Sequence, residues 1–338
     1  MKTRQLLRVL LLLPFALLVA CGTDSSKTIV GPTPGSASFD ARVVWSDWSP
    51  PVHVASPISS SARDLAAKLS PDGLSLYVSS DRTGGFGAID IWASRRACLE
   101  CVWGDAINLG ANINSPAGDG GVSFSADGLT LFFSSGRDGG YGGEDIWVSH
   151  RTDAADDLGW GPAANLGEYV NTSVDEQGTA YFRGRGADGV RVIYFVRSGD
   201  IYSARLSNHG EVLEPAAPVA ELNDPSGTDN GPTVSADGRE IFFWSNRTGG
   251  FGGADLWTAT RRRAQDPWST PQNLGSLFNT PVADLEPGVS RDGQTLFFAA
   301  GANARPSLGF QDIWMSTRTR LGNHGDDAAE GDDEGDGG

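Results

Sequence analysis

Five aspartates, each followed by an apolar residue and then an aromatic one, recur at Asp90, Asp145, Asp200, Asp255 and Asp312, at intervals of 55, 55, 55 and 57 residues. A fixed period of this length marks a repeat architecture, in which each unit buries its faces on its neighbours. Four units share one order of motifs: Ser-x-Asp-Gly, an apolar strand, a glycine-rich loop and Asp-[Ile/Leu]-Trp. They run from Ser70 to Trp92, Ser125 to Trp147, Ser235 to Trp257 and Ser290 to Trp314. The middle unit is degenerate, with Ala187-Asp188-Gly189, an apolar run from Val190 to Val196, and Asp200-Ile201-Tyr202.

Asp-Gly is a hairpin signal, and the short alternating runs bounded by turn residues read as strands. Each unit parses into four of them, the size of one propeller blade. The prediction is an all-β, five-bladed β-propeller of four-stranded antiparallel blades. Forty-five glycines and ten tryptophans in 338 residues, with no long helical apolar pattern, agree with it. Trp48 and Val54 lie 55 residues before Trp103 and Leu109. The stretch from Trp48 to Ala55 is therefore expected to supply the outer strand of the fifth blade, whose own sequence stops near Arg318, and so to close the ring and cover an edge.

The flanks are different in kind. Lys2, Arg4 and Arg8 precede an apolar run from Val9 to Val19, too short to span a membrane, and the run ends Leu18-Val19-Ala20-Cys21. This resembles the lipobox of bacterial lipoprotein precursors, and the resemblance implies acylation at Cys21 and anchoring in the cell envelope; Gly22 implies the outer membrane, facing the periplasm or the cell surface. Residues 1–20 then read as a signal peptide, 21–40 as a flexible tether, 41–320 as the propeller and 321–338 as an acidic disordered tail. Without the three signal-peptide cations the formal charge goes from −16 to −19. Such acidity excludes nucleic acid, which needs a clustered basic face.

The stretches Ser-Pro-Asp-Gly-Leu-Ser-Leu-Tyr, Ser-Ser-Asp-Arg-Thr-Gly-Gly-Phe-Gly and Asp-Ile-Trp resemble the TolB-type, WD-repeat-like propeller repeat of bacterial envelope proteins, over about residues 64 to 318. The resemblance implies the fold and an envelope setting; the motifs specify the repeat rather than an activity.

Candidate site residues follow from blade geometry. Counting eight back from the aspartate of Asp-Gly in the regular blades gives Asp64, Asp119, Asp229 and Asp284, with Asp175 the nearest match in the third, one carboxylate per blade around the channel mouth. Like charges there need compensation. Arg82, Arg137, Arg247 and Arg305, on turns opening to the same face, would provide it as structural ion pairs; calcium held by the carboxylates is the alternative, with no other cofactor expected. Phe86, Tyr141 and Phe251 sit in the glycine-rich loops, either presented to a ligand or wedged between blades. Cys98 and Cys101 are expected to form a small disulfide rather than a redox or zinc site. His53, His150, His209 and His324 have no metal-ligand spacing, and no metal site is assigned.

From these residues the expected function is a non-catalytic binding or scaffolding propeller, probing a protein or glycan with its channel-mouth face as a monomer, and not an enzyme. The alternative is a glycosidase using acids at the channel mouth, where Glu176 and Glu286 break the symmetry.

Overall fold

The computed structural model describes residues 43–184, 189–302 and 305–323. Strands β1 (Val43–Trp45) and β2 (Val52–His53) lead into five blades. Blade 1 is β3 (Asp64–Leu69), β4 (Ser75–Ser80), β5 (Asp90–Arg95) and β6 (Ile107–Asn108); blade 2 is β7 (Asp119–Phe124), β8 (Thr130–Ser135), β9 (Asp145–His150) and β10 (Ala164–Asn165). Blade 3 is β11 (Glu176–Arg183), β12 (Arg191–Arg197), β13 (Asp200–Leu206) and β14 (Ala217–Pro218); blade 4 is β15 (Asp229–Val234), β16 (Glu240–Ser245), β17 (Asp255–Thr260) and β18 (Gln272–Asn273). Blade 5 has β19 (Asp284–Val289), β20 (Thr295–Gly301) and β21 (Gln311–Thr317), and its fourth strand is β2 from the N-terminal end. The propeller and its N-terminal closure are thus as the 55-residue period implies.

A second closure was not foreseen. β22 (Arg320–Asn323) pairs antiparallel with β1, so the first three residues assigned to the acidic tail belong to a strand. The proposed signal peptide, Cys21, the tether, His324 and the rest of the tail lie outside the described residues.

The core consists of five seams rather than one centre. Each apolar cluster joins two neighbouring blades: Tyr77 and Ile91 of blade 1 pack with Phe133 and Trp147 of blade 2, and Leu76 and Val78 of blade 1 with Phe297 and Ile313 of blade 5. Central strands are therefore buried on both faces, as β4 is along its whole length. Trp92, Trp147, Trp257 and Trp314 are buried in these seams.

The innermost strands share one irregularity. In every blade the register between the first two strands slips after the second residue. The third residue then adopts a positive φ: Ala66 at 51°, Gly121 at 61°, Gly178 at 52°, Gly231 at 61° and Glu286 at 50°. Glycine meets this bulge geometry without a Cβ penalty, whereas other L-residues lose roughly 1–2 kcal/mol. The bulges also crowd each other, since a Cβ on Gly121 would lie 2.9 Å from the Cα of Gly178. The five bulges share one level, the third residue of each inner strand, below the face on which the inner strands begin, the upper face.

Candidate functional site

At the upper face each inner strand starts with an acid, and the acid is paired. Asp64 meets Arg82 at 2.6 Å, Asp119 meets Arg137 at 2.7 Å and Glu176 meets Arg197 at 2.8 Å. Asp229 is bonded to Arg247, and Asp284 stands 4.0 Å from Arg305. The second carboxylate oxygen accepts from the loop before the strand, for example from the backbone N–H and hydroxyl of Ser115 at 2.6 and 2.9 Å in Asp119. Each arginine also donates to a buried backbone carbonyl, at Ile58, Ile113, Val170, Leu222 and Phe278, and lies over the aromatic of its own blade. These assemblies lock the third strand's aromatic to the loop before the first strand. The ring carboxylate oxygens other than Asp284 Oδ1 accept hydrogen bonds, and among the described residues no group of three or more His, Cys, Asp or Glu side chains is placed to hold a metal ion.

The third blade corrects the residue count. Its ring acid is Glu176, not Asp175, because the interval from Asp119 is 57 residues and the next is 53. Asp175 is exposed one position earlier, where its Oδ1 accepts from the N–H of Glu144 at 3.1 Å. Glu176 is consumed by Arg197 and is not free to act as an acid or base.

Phe86, Tyr141 and Phe251 do not wedge between blades. They are 52, 51 and 51 % exposed, on turns held from below by the aspartates of the Asp-[Ile/Leu]-Trp motif. A Cβ on Gly140 would lie 2.0 Å from Asp145 Oδ2, which is why the turn is built of glycine. His53 takes in blade 5 the part played by Asn108, Asn165 and Asn273, contacting Asp312 at 2.7 Å. Cys98 and Cys101 are disulfide-bonded, with Cα atoms 5.0 Å apart.

Two further carboxyls, Glu286 and Glu144, have pKa values raised by burial. Glu286 is the strained bulge residue of blade 5. Its Oε1 accepts from Trp244 Nε1 at 3.1 Å, and burial raises its pKa against the opposing charge of Lys68. Lys68 is itself buried, donates to the carbonyl of Pro287 at 2.6 Å, and has its pKa lowered by desolvation to about 8. Glu144 was missed by the sequence reading. It lies half-buried where the third strand of blade 2 begins, its carbonyl accepting from the N–H of Glu176 at 2.7 Å. Burial first, then the charges of Asp175, Asp119 and Glu286, raise its pKa.

Asp284 differs from the other ring acids, since desolvation brings its pKa to about 6 despite Thr280 and Arg305. The sign of its effect on stability follows. The native carboxyl holds a proton that the unfolded chain has lost, so stability should fall by about 3 kcal/mol as pH rises from 4 to 6. Lys68 sheds its proton in the native state while the unfolded chain keeps it, so stability should recover by about 3 kcal/mol between pH 8 and 10.5. Denaturant midpoints across pH should therefore pass through a minimum between 6 and 8. Asp284→Asn should flatten the acid limb and Lys68→Met the alkaline one; variants that leave both limbs unchanged would refute the assignment.

The architecture defines a class: five-bladed propellers with a carboxyl group at the start of each inner strand. Solved structures of that class that resemble this chain are glycoside hydrolases. A GH43_1 enzyme from Xanthomonas citri matches with a TM-score of 0.51 at 14% identity, over 78% of this chain and 91% of that one. A GH43_12 protein retrieved from a capybara gut metagenome matches with a TM-score of 0.51 at 12% identity, over 81% of this chain and 54% of that one. The Xanthomonas citri GH43_1 enzyme complexed with xylotriose gives a TM-score of 0.50 at 13% identity, over 78% and 90% of the two chains. No family model and no curated protein matches the sequence.

These likenesses establish the fold. They correct the relationship expected from the motifs, since the matching five-bladed propellers are glycoside hydrolases and not TolB-type, WD-repeat-like proteins. The non-catalytic scaffold, its protein partner and the expectation of no enzymatic activity are set aside with it.

Proposed function

We propose that this chain is a propeller of the glycoside-hydrolase type, acting on a neutral saccharide at its upper face. The observation that carries the proposal is Glu286: a glutamate in left-handed backbone, at a position where three other blades have glycine. Backbone strain of this kind persists where the surroundings over-determine it, and is concentrated at functional sites. Glu286, whose pKa burial raises, serves as general acid, giving its proton to the glycosidic oxygen as the bond to the anomeric carbon breaks. Glu144, nearer solvent, takes the proton of the water that adds to that carbon. Solvent exchange then restores both groups. Neutral sugars are favoured because the upper-face arginines are committed to the ring acids, while Glu144 and Asp175 would repel an anionic ring.

The test is release of reducing sugar from xylotriose and other neutral oligosaccharides by the purified protein. No release from any pentose or hexose oligomer would overturn the proposal. The setting we propose is the cell envelope, supported by the Leu18-Val19-Ala20-Cys21 sequence. Cys21→Ser should move the protein from the membrane fraction to the soluble fraction, since the acyl chains supply the anchoring; unchanged partitioning would count against lipidation.

A further inference from the structure

The rim of the upper face is interrupted at one blade. Antiparallel pairing puts the turn between the second and third strands of every blade on that face. In blades 1, 2, 4 and 5 nine residues separate the two strands; in blade 3 there are two, Ser198 and Gly199, both at positive φ, 52° and 86°. Each long turn leans on the following blade. A Cβ on Gly87, Gly142, Gly252 or Gly309 would lie 2.1, 2.5, 2.4 or 1.9 Å from backbone of the loop that leads into the next inner strand. Phe86, Tyr141, Phe251 and Leu308 stand half-exposed on these turns. Among the described residues, the seam of blades 3 and 4 alone has no such turn across it.

The short turn also frees a carboxylate. In the other long-turn blades the matching aspartate is used within the blade: Asp90 accepts from the N–H of Phe86 and from Asn108, Asp145 from Tyr141 and Asn165, and Asp255 from Phe251 and Asn273. Blade 3 has no turn to donate, and Pro218 occupies the strand position of those asparagines. Asp200 is partly exposed, and among the described residues nothing donates to its carboxylate. Gly199 lies against Thr228 of blade 4, so this carboxylate stands at the uncovered seam. Blade 3 also adjoins Glu144, whose carbonyl accepts from the N–H of Glu176 and whose turn carries Tyr141.

We propose that a linear neutral saccharide chain leaves the upper face through this gap, its hydroxyls donating to Asp200 and a sugar ring resting on Tyr141. The proposal rests on the glycoside-hydrolase reading and deepens it. The substrate class becomes a long-chain glycan, because the gap gives the chain a course that the long turns of the other blades stand across. A carboxylate only accepts, so it requires donors; sugar hydroxyls supply them, whereas an anionic chain would be repelled. The half-exposed ring of Tyr141 offers an apolar face to the C–H side of a sugar.

The test compares xylohexaose with xylobiose by titration calorimetry on Glu286→Gln, in which the probe is not consumed. The ratio of the two affinities should fall about tenfold in Asp200→Ala and about threefold in Tyr141→Ala, with no fall in Tm. An equal loss for both sugars, or a lowered Tm, would make these residues structural and overturn the proposal. So would failure to bind xylohexaose or cellohexaose at ~10 mM. The two proposals fail separately. Chain-length-dependent binding that Asp200→Ala removes supports the gap even if the parent protein releases no reducing sugar. Hydrolysis of xylobiose with a ratio insensitive to both variants would refute the gap alone.

Discussion

Glu286→Gln is expected to lower kcat for a neutral oligosaccharide by about 10²–10⁴-fold with little change in KM. Glutamine keeps the shape of the side chain and an oxygen that can accept from Trp244 Nε1, so the bulge at φ 50° and its packing on Gly231 should survive. What it removes is the titratable carboxyl whose pKa burial raises. Loss of chemistry without loss of binding is the mark of an interaction made only in the transition state. A structural role would instead show as a fall in Tm or a parallel rise in KM. Glu144→Gln should also lower kcat, and its pH profile should lose the limb set by a raised carboxyl. Unchanged turnover in both variants would place the chemistry elsewhere.

How far these residues could be found in advance depends on what each is positioned by. The blades and the closure by β2 were legible because hairpin turns and strand period are local properties, and a 55-residue offset carries them to Trp48 and Val54. The bulge ring was not, since three glycines, an alanine and a glutamate at one strand position do not announce a left-handed backbone. Blade 3 was misassigned to Asp175 because its first hairpin is longer: Glu176 stands twelve residues before the Asp188 of Asp-Gly, against eight in the other blades. A better signal was present: Asn114-Ser115 stands before Asp119 and Asn279-Thr280 before Asp284 at the same spacing as Asn171-Thr172 before Glu176. That pattern is the loop cap which donates to the ring acid. Glu144 could have been found in the same way, as the one acid among Ile89, Glu144, Gly199, Ala254 and Gln311, the residues preceding the repeated aspartates. The motifs behind the expected TolB-type relationship describe a hairpin turn and a capped glycine loop. Any propeller with these strand connections needs such turns, so they fixed the fold and misled on kinship.

The same substitution made in two blades should have opposite results. Asp119→Asn leaves Arg137 enclosed without a counter-charge, its guanidinium still tied to Ile113 and stacked on Trp147. Removing one partner of a buried pair costs about 3–5 kcal/mol, so Tm should fall by roughly 10 °C. Asp119→Asn combined with Arg137→Met should cost less than the two changes summed, because the uncompensated charge is gone. Asp284→Asn meets a different environment. Its Oδ1 has no hydrogen-bond partner, Arg305 Nε is 4.0 Å away, and the native group already holds its proton up to about pH 6. At pH 5 an amide and a protonated carboxyl present nearly the same charge, and the variant should melt with the parent. At pH 7.5 the parent bears the burden of a buried carboxylate that the variant lacks, so the variant should be the more stable, by up to about 3 kcal/mol. Melting curves at the two pH values decide it. A large loss at pH 7.5 in Asp284→Asn would mean that blade 5 is locked like the others.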